Sequence, residues 1–184
     1  MPPRIITNSV ISQNSIYSNG SLGIDINPSG VNPKDALDRD TGSNHRQNFP
    51  VLTSVNKKGD GLNIKGNLNS EPNGIYTIEF FYNSSLDYPS GYGEGKHLFI
   101  TKNVATDTTG NVNFDFDLAT SNVIVGQYIT TTATHQERKE TSEFSQGIPV
   151  TVPPVEFQVY WVDYNPITTM TPGSQLTTPM TIQN

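Results

Sequence analysis

Asn111-Val112-Asn113-Phe114-Asp115-Phe116-Asp117-Leu118-Ala119 alternates polar and apolar residues without a break. Successive side chains of a β-strand point to opposite faces. Val112, Phe114, Phe116 and Leu118 therefore share one face, and Asn111, Asn113, Asp115 and Asp117 the other. This is a half-buried strand, and the chain on either side repeats the theme. Leu62, Ile64 and Leu68 alternate with polar residues, with Gly66 in the remaining inward slot. Residues 75–82 form a dense aromatic strand with Ile78 and Phe80 inward. Residues 96–105 form another around Leu98 and Ile100, and in 126–134 Ile129, Thr131 and Ala133 oppose Tyr128, Thr130, Thr132 and Thr134. Gly59-Asp60-Gly61, Pro72-Asn73-Gly74 and Asp107-Thr108-Thr109-Gly110-Asn111 supply the turns. About seven short strands at such spacing predict an all-β fold, an immunoglobulin-like antiparallel β-sandwich over residues 51–152. Its core is expected to hold Ile64, Ile78, Phe80, Phe114, Phe116 and Ile129. With no Cys-Trp-Cys set, the two inner faces must close by packing alone.

Composition agrees. Only 33% of the 184 residues are hydrophobic and 15% charged, the difference being made up by Asn, Ser, Thr, Gly and Pro. Disordered chains of such polarity usually carry high charge and few β-branched residues, whereas here Ile, Val, Thr, Tyr and Phe recur in short alternating runs. A net charge of -6 excludes nucleic acid as a partner, because phosphate binding needs clustered Lys and Arg. The pair Arg138-Lys139 lies between Glu137 and Glu140 and reads as a solvated loop. The absence of cysteine excludes a disulfide scaffold, a thiolate zinc site and a cysteine nucleophile. The N-terminus has no apolar signal-peptide core, and no run approaches the ~18 apolar residues of a membrane span. If the protein is exported, its address is expected on a longer parent chain or elsewhere.

Three flanking regions differ from the sandwich. Residues 1–31 hold short apolar pairs broken by Asn and Asn-Gly turns, as in Ile11-Ser12-Gln13-Asn14-Ser15-Ile16 and Leu22-Gly23-Ile24-Asp25-Ile26. They read as a remnant of a parallel β-helix rung, or else as edge strands of the sandwich. Residues 32–50 are an acidic connector rich in Asp, Asn, Gly and Pro. Residues 153–184 open with Pro153-Pro154, continue into one more alternating strand around Phe157 and Trp161, and end in a tail without periodicity.

The connector is the best site candidate. Asp38, Asp40 and Asn44 surround a bend at Gly42, with Asp35 and Asn48 placed to complete a shell. Alternate oxygen donors around a glycine bend are how calcium loops gather six to eight hard ligands, so calcium is the cofactor this pattern implies. The competing reading is a hydrated linker whose Asp and Asn residues form local turns. The run Ser90-Gly91-Tyr92-Gly93-Glu94-Gly95-Lys96 lacks the spacing of a phosphate loop and reads as a loop whose tip could meet a ligand through Tyr88 and Tyr92. His45, His97 and His135 lack metal-ligand spacing, and Asp115 and Asp117 share an exposed strand face without a cleft for glycoside hydrolysis. No catalytic residue is assigned, and the chain is expected not to be an enzyme.

Several stretches, taken in order, resemble one family. They are Asn19-Gly20-Ser21-Leu22-Gly23-Ile24-Asp25-Ile26, Asp38-Arg39-Asp40-Thr41-Gly42-Ser43-Asn44, Gln47-Asn48-Phe49-Pro50-Val51-Leu52-Thr53, Thr77-Ile78-Glu79-Phe80-Phe81-Tyr82-Asn83, Ser90-Gly91-Tyr92-Gly93-Glu94-Gly95 and Thr141-Ser142-Glu143-Phe144-Ser145. Together they look like the C-terminal region of bacterial surface proteins with right-handed parallel β-helix repeats followed by an immunoglobulin-like domain. The resemblance covers roughly residues 9–146. It implies an extracellular or cell-surface location and a structural or adhesive role, with a protein or polysaccharide surface ligand. The loop His135-Gln136-Glu137-Arg138-Lys139-Glu140 departs from the family's shorter turn. Two other functions fit the residues: a carbohydrate-binding module using Tyr82, Tyr88 and Tyr92, and the C-terminal part of a β-helical polysaccharide lyase.

Overall fold

A computed structural model describes residues 5–86, 90–120 and 122–153. The strand expected around Phe157 and Trp161, the tail after it, and Tyr88 lie outside the described residues. The described chain is all-β and antiparallel. Its strands are β1 (Val51–Lys58), β2 (Gly61–Asn69), β3 (Ile75–Asn83), β4 (His97–Ala105), β5 (Asn111–Ala119), β6 (Tyr128–His135), β7 (Glu140–Thr141) and β8 (Ile148–Pro149). They form two sheets, one in the order β1-β2-β5 and the other β4-β3-β6-β7, with β8 also paired to β6.

The inward face read from the period-two pattern is the core. Ile64, Ile78, Phe80, Phe114 and Ile129 are buried together with Leu62, Leu68, Tyr76 and Ala133. Phe116 is half-buried: among the described residues β5 is an edge strand and no further strand covers its open side. The Lys102 ammonium lies over its ring instead, 5.9 Å from the centre. Phe114 and Phe116 stack at 5.3 Å, and Phe80 meets both rings edge-on at 6.1 and 6.2 Å. Gly66 pairs with Phe114 across β2 and β5, and a Cβ there would come within 2.5 Å of the Phe114 ring and 2.6 Å of the Val51 carbonyl. The empty slot in β2 is thus filled by a phenylalanine from the neighbouring strand. The Asp107–Asn111 turn closes on itself, with the Asp107 carboxylate accepting the Thr109 and Asn111 amides at 2.8 and 3.0 Å.

Residues 5–50 contain no regular strand. Ile16 pairs with Gly95 in a single antiparallel bridge, and Ser43–Arg46 make one 3-10 turn. The segment instead runs as an irregular strap over the outer face of the second sheet. Four isoleucines of this segment pack there: Ile24 and Ile26 are buried against Phe81 and Phe144, flanked by Ile11, Ile16 and, from β4, Leu98, while Ile5, Ile6, Val10 and Tyr17 stay exposed. This second apolar cluster explains why β6 is buried on both faces, with Thr130, Thr132 and Thr134 covered along with Ile129.

Candidate functional site

The contact between the strap and the second sheet concentrates the molecule's buried polar chemistry. An irregular segment leaves main-chain N–H groups without ladder partners, and each must be satisfied before it can be buried. Here the partners are carboxylates. Glu143 accepts the Ile26 amide and the Asn32 amide, both at 2.9 Å, and the Asn32 side chain at 2.7 Å. Glu79, an outward residue of the central strand β3, accepts the Gln13 amide at 3.1 Å and the Ser12 hydroxyl. Glu94 accepts the Ser18 and Asn19 amides at 2.8 and 2.7 Å. The Thr141 hydroxyl accepts the Ile11 amide at 2.9 Å. Hydrogen bonds to ionised acceptors are worth about twice their neutral counterparts, so these side chains clamp the incoming chain at intervals along its path.

A second network anchors the connector. Arg138 is its centre: the guanidinium lies 2.5 Å from Glu71 Oε1, 3.2 Å from Glu140 Oε2 and 3.7 Å from Asp38 Oδ2. His45 Nδ1 meets Glu140 at 2.9 Å, and His135 Nε2 meets Glu71 at 3.2 Å. The amides of Glu137 and Arg138 both donate to His135 Nδ1 at 3.2 Å, which fixes the neutral tautomer with its proton on Nε2. Burial, reinforced by the charge of Arg138, holds the His135 pKa below its ordinary value. The loop at 136–139 is therefore no solvated excursion. Arg138 is half-buried and neutralises acids that come from three separate parts of the chain.

Asp38 is the most deeply placed connector acid. Its Oδ1 accepts the Asn48 amide at 3.0 Å and its Oδ2 the Ser70 hydroxyl at 2.7 Å. Ser70 in turn accepts from Tyr76 at 2.8 Å and from Gln47 at 2.9 Å. Burial pushes the Asp38 pKa up to about 6, against the partial opposition of its bonds with Ser70 and Asn48 and the charge of Arg138. The Tyr76 hydroxyl is likewise pushed up to about 12 by burial, and Glu143 is raised by burial too, though its bonds from Asn32 and Ile26 pull the other way. The turn beside Asp38 is strained. Asn44, His45 and Arg46 have φ of 44, 46 and 51°, a left-handed conformation that costs L-residues roughly 1–2 kcal/mol each. Asn44 offsets part of this cost by donating to the Ser9 and Thr141 carbonyls at 2.7 and 3.0 Å and accepting the Ser9 amide at 3.0 Å.

The five residues read as calcium ligands are distributed as follows. Asp35, Asp38 and Asn48 are brought together, with the Asn48 side chain donating to the Asp35 carbonyl at 2.8 Å and accepting the Asp35 amide at 3.3 Å. Asp40 turns toward Arg46 at 3.6 Å, and Asn44 faces Ser9 and Thr141. Asp35 Oδ2 accepts the Arg39 amide at 2.8 Å, and Asp35 Oδ1 is buried without a partner. Among the described residues, no three His, Asp or Glu side chains group to hold a metal ion. As arranged, Asp35, Asp38 and Asn48 hold one another and the surrounding backbone through hydrogen bonds.

Among the described residues, Tyr82 and Tyr92 do not share one row. Tyr82 stacks on His97 at 4.7 Å, whereas Tyr92 packs edge-on against Phe49 at 5.5 Å. Asp115 and Asp117 stay exposed and pair with Lys65 at 2.8 Å and Lys58 at 2.7 Å. The bonds from Lys65 and Asn63 lower the Asp115 pKa, and those from Lys58 and Asn63 lower that of Asp117, the opposite of what a general acid needs. No known protein family matches the chain.

Sequence reasoning found Asp35, Asp38, Asn44 and Asn48 but missed Arg138, Glu71, Glu79, Glu94, Glu140 and Glu143. One signal was available for Glu79. A charge between Ile78 and Phe80 on a strand with aromatic residues on both faces marks a covered outer face rather than a wet one.

Proposed function

We propose that the chain is a non-catalytic structural or adhesive module of an extracellular or surface protein, built to hold the chain that enters it as a rigid joint. The observation that carries this reading is the clamp. Carboxylates of the sandwich accept main-chain amides of the strap at Gln13, Ser18, Asn19, Ile26 and Asn32. Main-chain recognition of this kind fixes the path of a segment largely without regard to its side chains. The titratable groups of the strap contact are spent on one another and on backbone amides, which supports a holding role over a chemical one. An immunoglobulin-like topology is supported by the strand order. β1, β2 and β5 match the A, B and E strands, β3, β6 and β7 match C, F and G, and β4 is an added strand on the C edge. The resemblance to β-helical surface proteins supplies the proposed context. A β-helix end exposes unpaired strand edges and a core that needs covering, and a sandwich locked to the outgoing chain would hold that end in place.

Native-state hydrogen exchange tests the joint. The amides of Gln13, Ser18, Ile26 and Asn32 are expected to exchange with opening free energies approaching those of β3 and β6, because clamp and sheet open together. Free exchange of those amides, with β3 and β6 still protected, would make the strap a loose tether and remove the reading.

A further inference from the structure

We propose that the cleft at the β1–β2 turn end of the sandwich is a binding site for a neutral oligosaccharide. The cleft has a volume of about 880 Å³ and is walled by the β1–β2 turn at Asp60 and Gly61, the end of β3 at Tyr82, the start of β4 at Lys96–Phe99, the end of β5 at Ala119, and by Thr120 and Asn122. That volume is in the range of ligand clefts, which run ~300–1,000 Å³.

Its lining sets the ligand class. Tyr82 and His97 stack at 4.7 Å with 22° between their planes, and Phe99 inclines to Tyr82 at 6.0 Å. Three aromatic side chains thus come together on one wall. Around it stand an acid, Asp60, a cation, Lys96, and the hydroxyls of Ser15 and Thr120. Lys96 is held over the Tyr17 ring at 4.7 Å. One cation in a chain of net charge -6 is too little for a phosphate or polyanion, and a lining with this many polar groups does not suit a lipid or an apolar peptide. A sugar offers what the cleft can use: a flat C–H face for the rings and hydroxyls that both donate and accept.

The wall is also preorganised, which reduces the entropic cost of binding. The Ile16–Gly95 pair exchanges two main-chain bonds of 2.9 Å immediately before β4. The Lys96 amide donates to Asn83 Oδ1 at 2.8 Å, and the Ser15 hydroxyl donates to the Lys96 carbonyl at 2.6 Å. The strap that clamps the second sheet therefore also sets one wall of the cleft.

The test is an NMR titration of the full chain with four probes: cellohexaose, chitohexaose, maltohexaose and the anionic hexagalacturonate. At least one neutral hexasaccharide is expected to shift the amides of Gly61, His97 and Thr120 saturably. His97→Ala and Asp60→Asn, both on exposed side chains, should each weaken that binding at least about tenfold, a loss of ~1.4 kcal/mol, with the melting temperature unchanged. No shift at these amides with any neutral hexasaccharide at ~10 mM, a concentration above the usual millimolar limit of weak binding, overturns the proposal. So does binding that both variants leave intact, or a response to hexagalacturonate alone. The Tyr82–His97–Phe99 wall lies on β3 and β4, so failure of this site is read from the saccharide titration and failure of the joint separately from the hydrogen exchange of the strap.

Discussion

Replacing Gly95 by alanine asks whether the strap is held by shape as well as by hydrogen bonds. The Phe144 ring sits in a notch between two glycines. A Cβ on Gly95 would lie 2.5 Å from Phe144 Cε1 and 2.8 Å from Phe81 Cδ1, and a Cβ on Gly23 of the strap would lie 3.2 Å from Phe144 Cε2. Gly95 does not adopt a positive φ, so alanine adds no backbone strain and its whole cost is the collision. Overpacking of this kind costs ~1–3 kcal/mol, or about 2–12 °C in melting temperature for a chain of this size. Phe144→Leu keeps the site apolar while freeing room, at a cost of ~1–2 kcal/mol by itself. The two changes touch the same space and should not add. The double variant is expected to be about as stable as Phe144→Leu alone, leaving a coupling of ~1–3 kcal/mol, the size of the Gly95→Ala cost itself, in a double-mutant cycle read by urea unfolding. Strict additivity, or a Gly95→Ala variant within ~0.5 kcal/mol of the parent, which is the ordinary scatter for uninvolved surface sites, would refute the notch.

Two further outcomes bear on the connector. Both Asp38 oxygens accept from donors, so Asp38→Asn must set an NH₂ against the Asn48 amide or the Ser70 hydroxyl, whichever way it turns. Because the folded pKa stands at about 6 against an ordinary 3.8, the Asp38 contribution is full below the ordinary value and is lost as pH rises through about 6. The parent's advantage over Asp38→Asn should thus shrink between pH ~4 and ~7. Each tenfold change in proton affinity between the folded and unfolded chain is worth ~1.4 kcal/mol, so the loss is at most ~3 kcal/mol. A difference that stays flat across that range would show that Asp38 does not titrate as its burial demands. His135 titrates with the opposite sign, its contribution being lost as pH falls through its lowered value, but it is common to both proteins and cancels. Calcium up to ~10 mM, above the ~10⁻⁴–10⁻³ M affinities of extracellular modules, is expected to leave the melting temperature unchanged. A rise that is lost in an Asp38→Ala, Asp40→Ala double variant would give the connector back to the metal.

What could be read from the sequence was what depends on neighbours two residues apart. The alternation of 111–119 places Phe114 inward from local spacing alone, and the gap at Gly66 can be read as a slot because Leu62, Ile64 and Leu68 define the face around it. The clamp depends on residues more than sixty positions apart, such as Gln13 with Glu79 or Asn32 with Glu143, and no local period encodes such a pairing. Arg138 shows the difficulty most clearly. Between Glu137 and Glu140 it has the local sequence of a solvated turn. Its value lies in Asp38, Glu71 and Glu140, which converge on it only once the connector has packed against the sheet.

The same dependence explains why the acids of the connector read as a metal loop in the sequence. Asp35, Asp38 and Asp40 within six residues repel one another, and a cation must offset that repulsion if the segment is to be ordered. From the sequence alone a divalent ion competes with a hydrated linker, because alternate oxygen donors surround the bend at Gly42. The adjoining cations Lys34 and Arg39 are exposed in the folded chain, and the Lys34 ammonium lies over the Phe49 ring. The loop between β6 and β7 instead brings Arg138 to Asp38 and Glu71, while Arg46 turns back on Asp40. The charge that offsets the repulsion therefore comes from within the chain. A guanidinium, unlike a dissociable ion, cannot be lost by dilution or chelation, so the contacts of Asp38 and Glu71 with Arg138 need no bound ion to hold them.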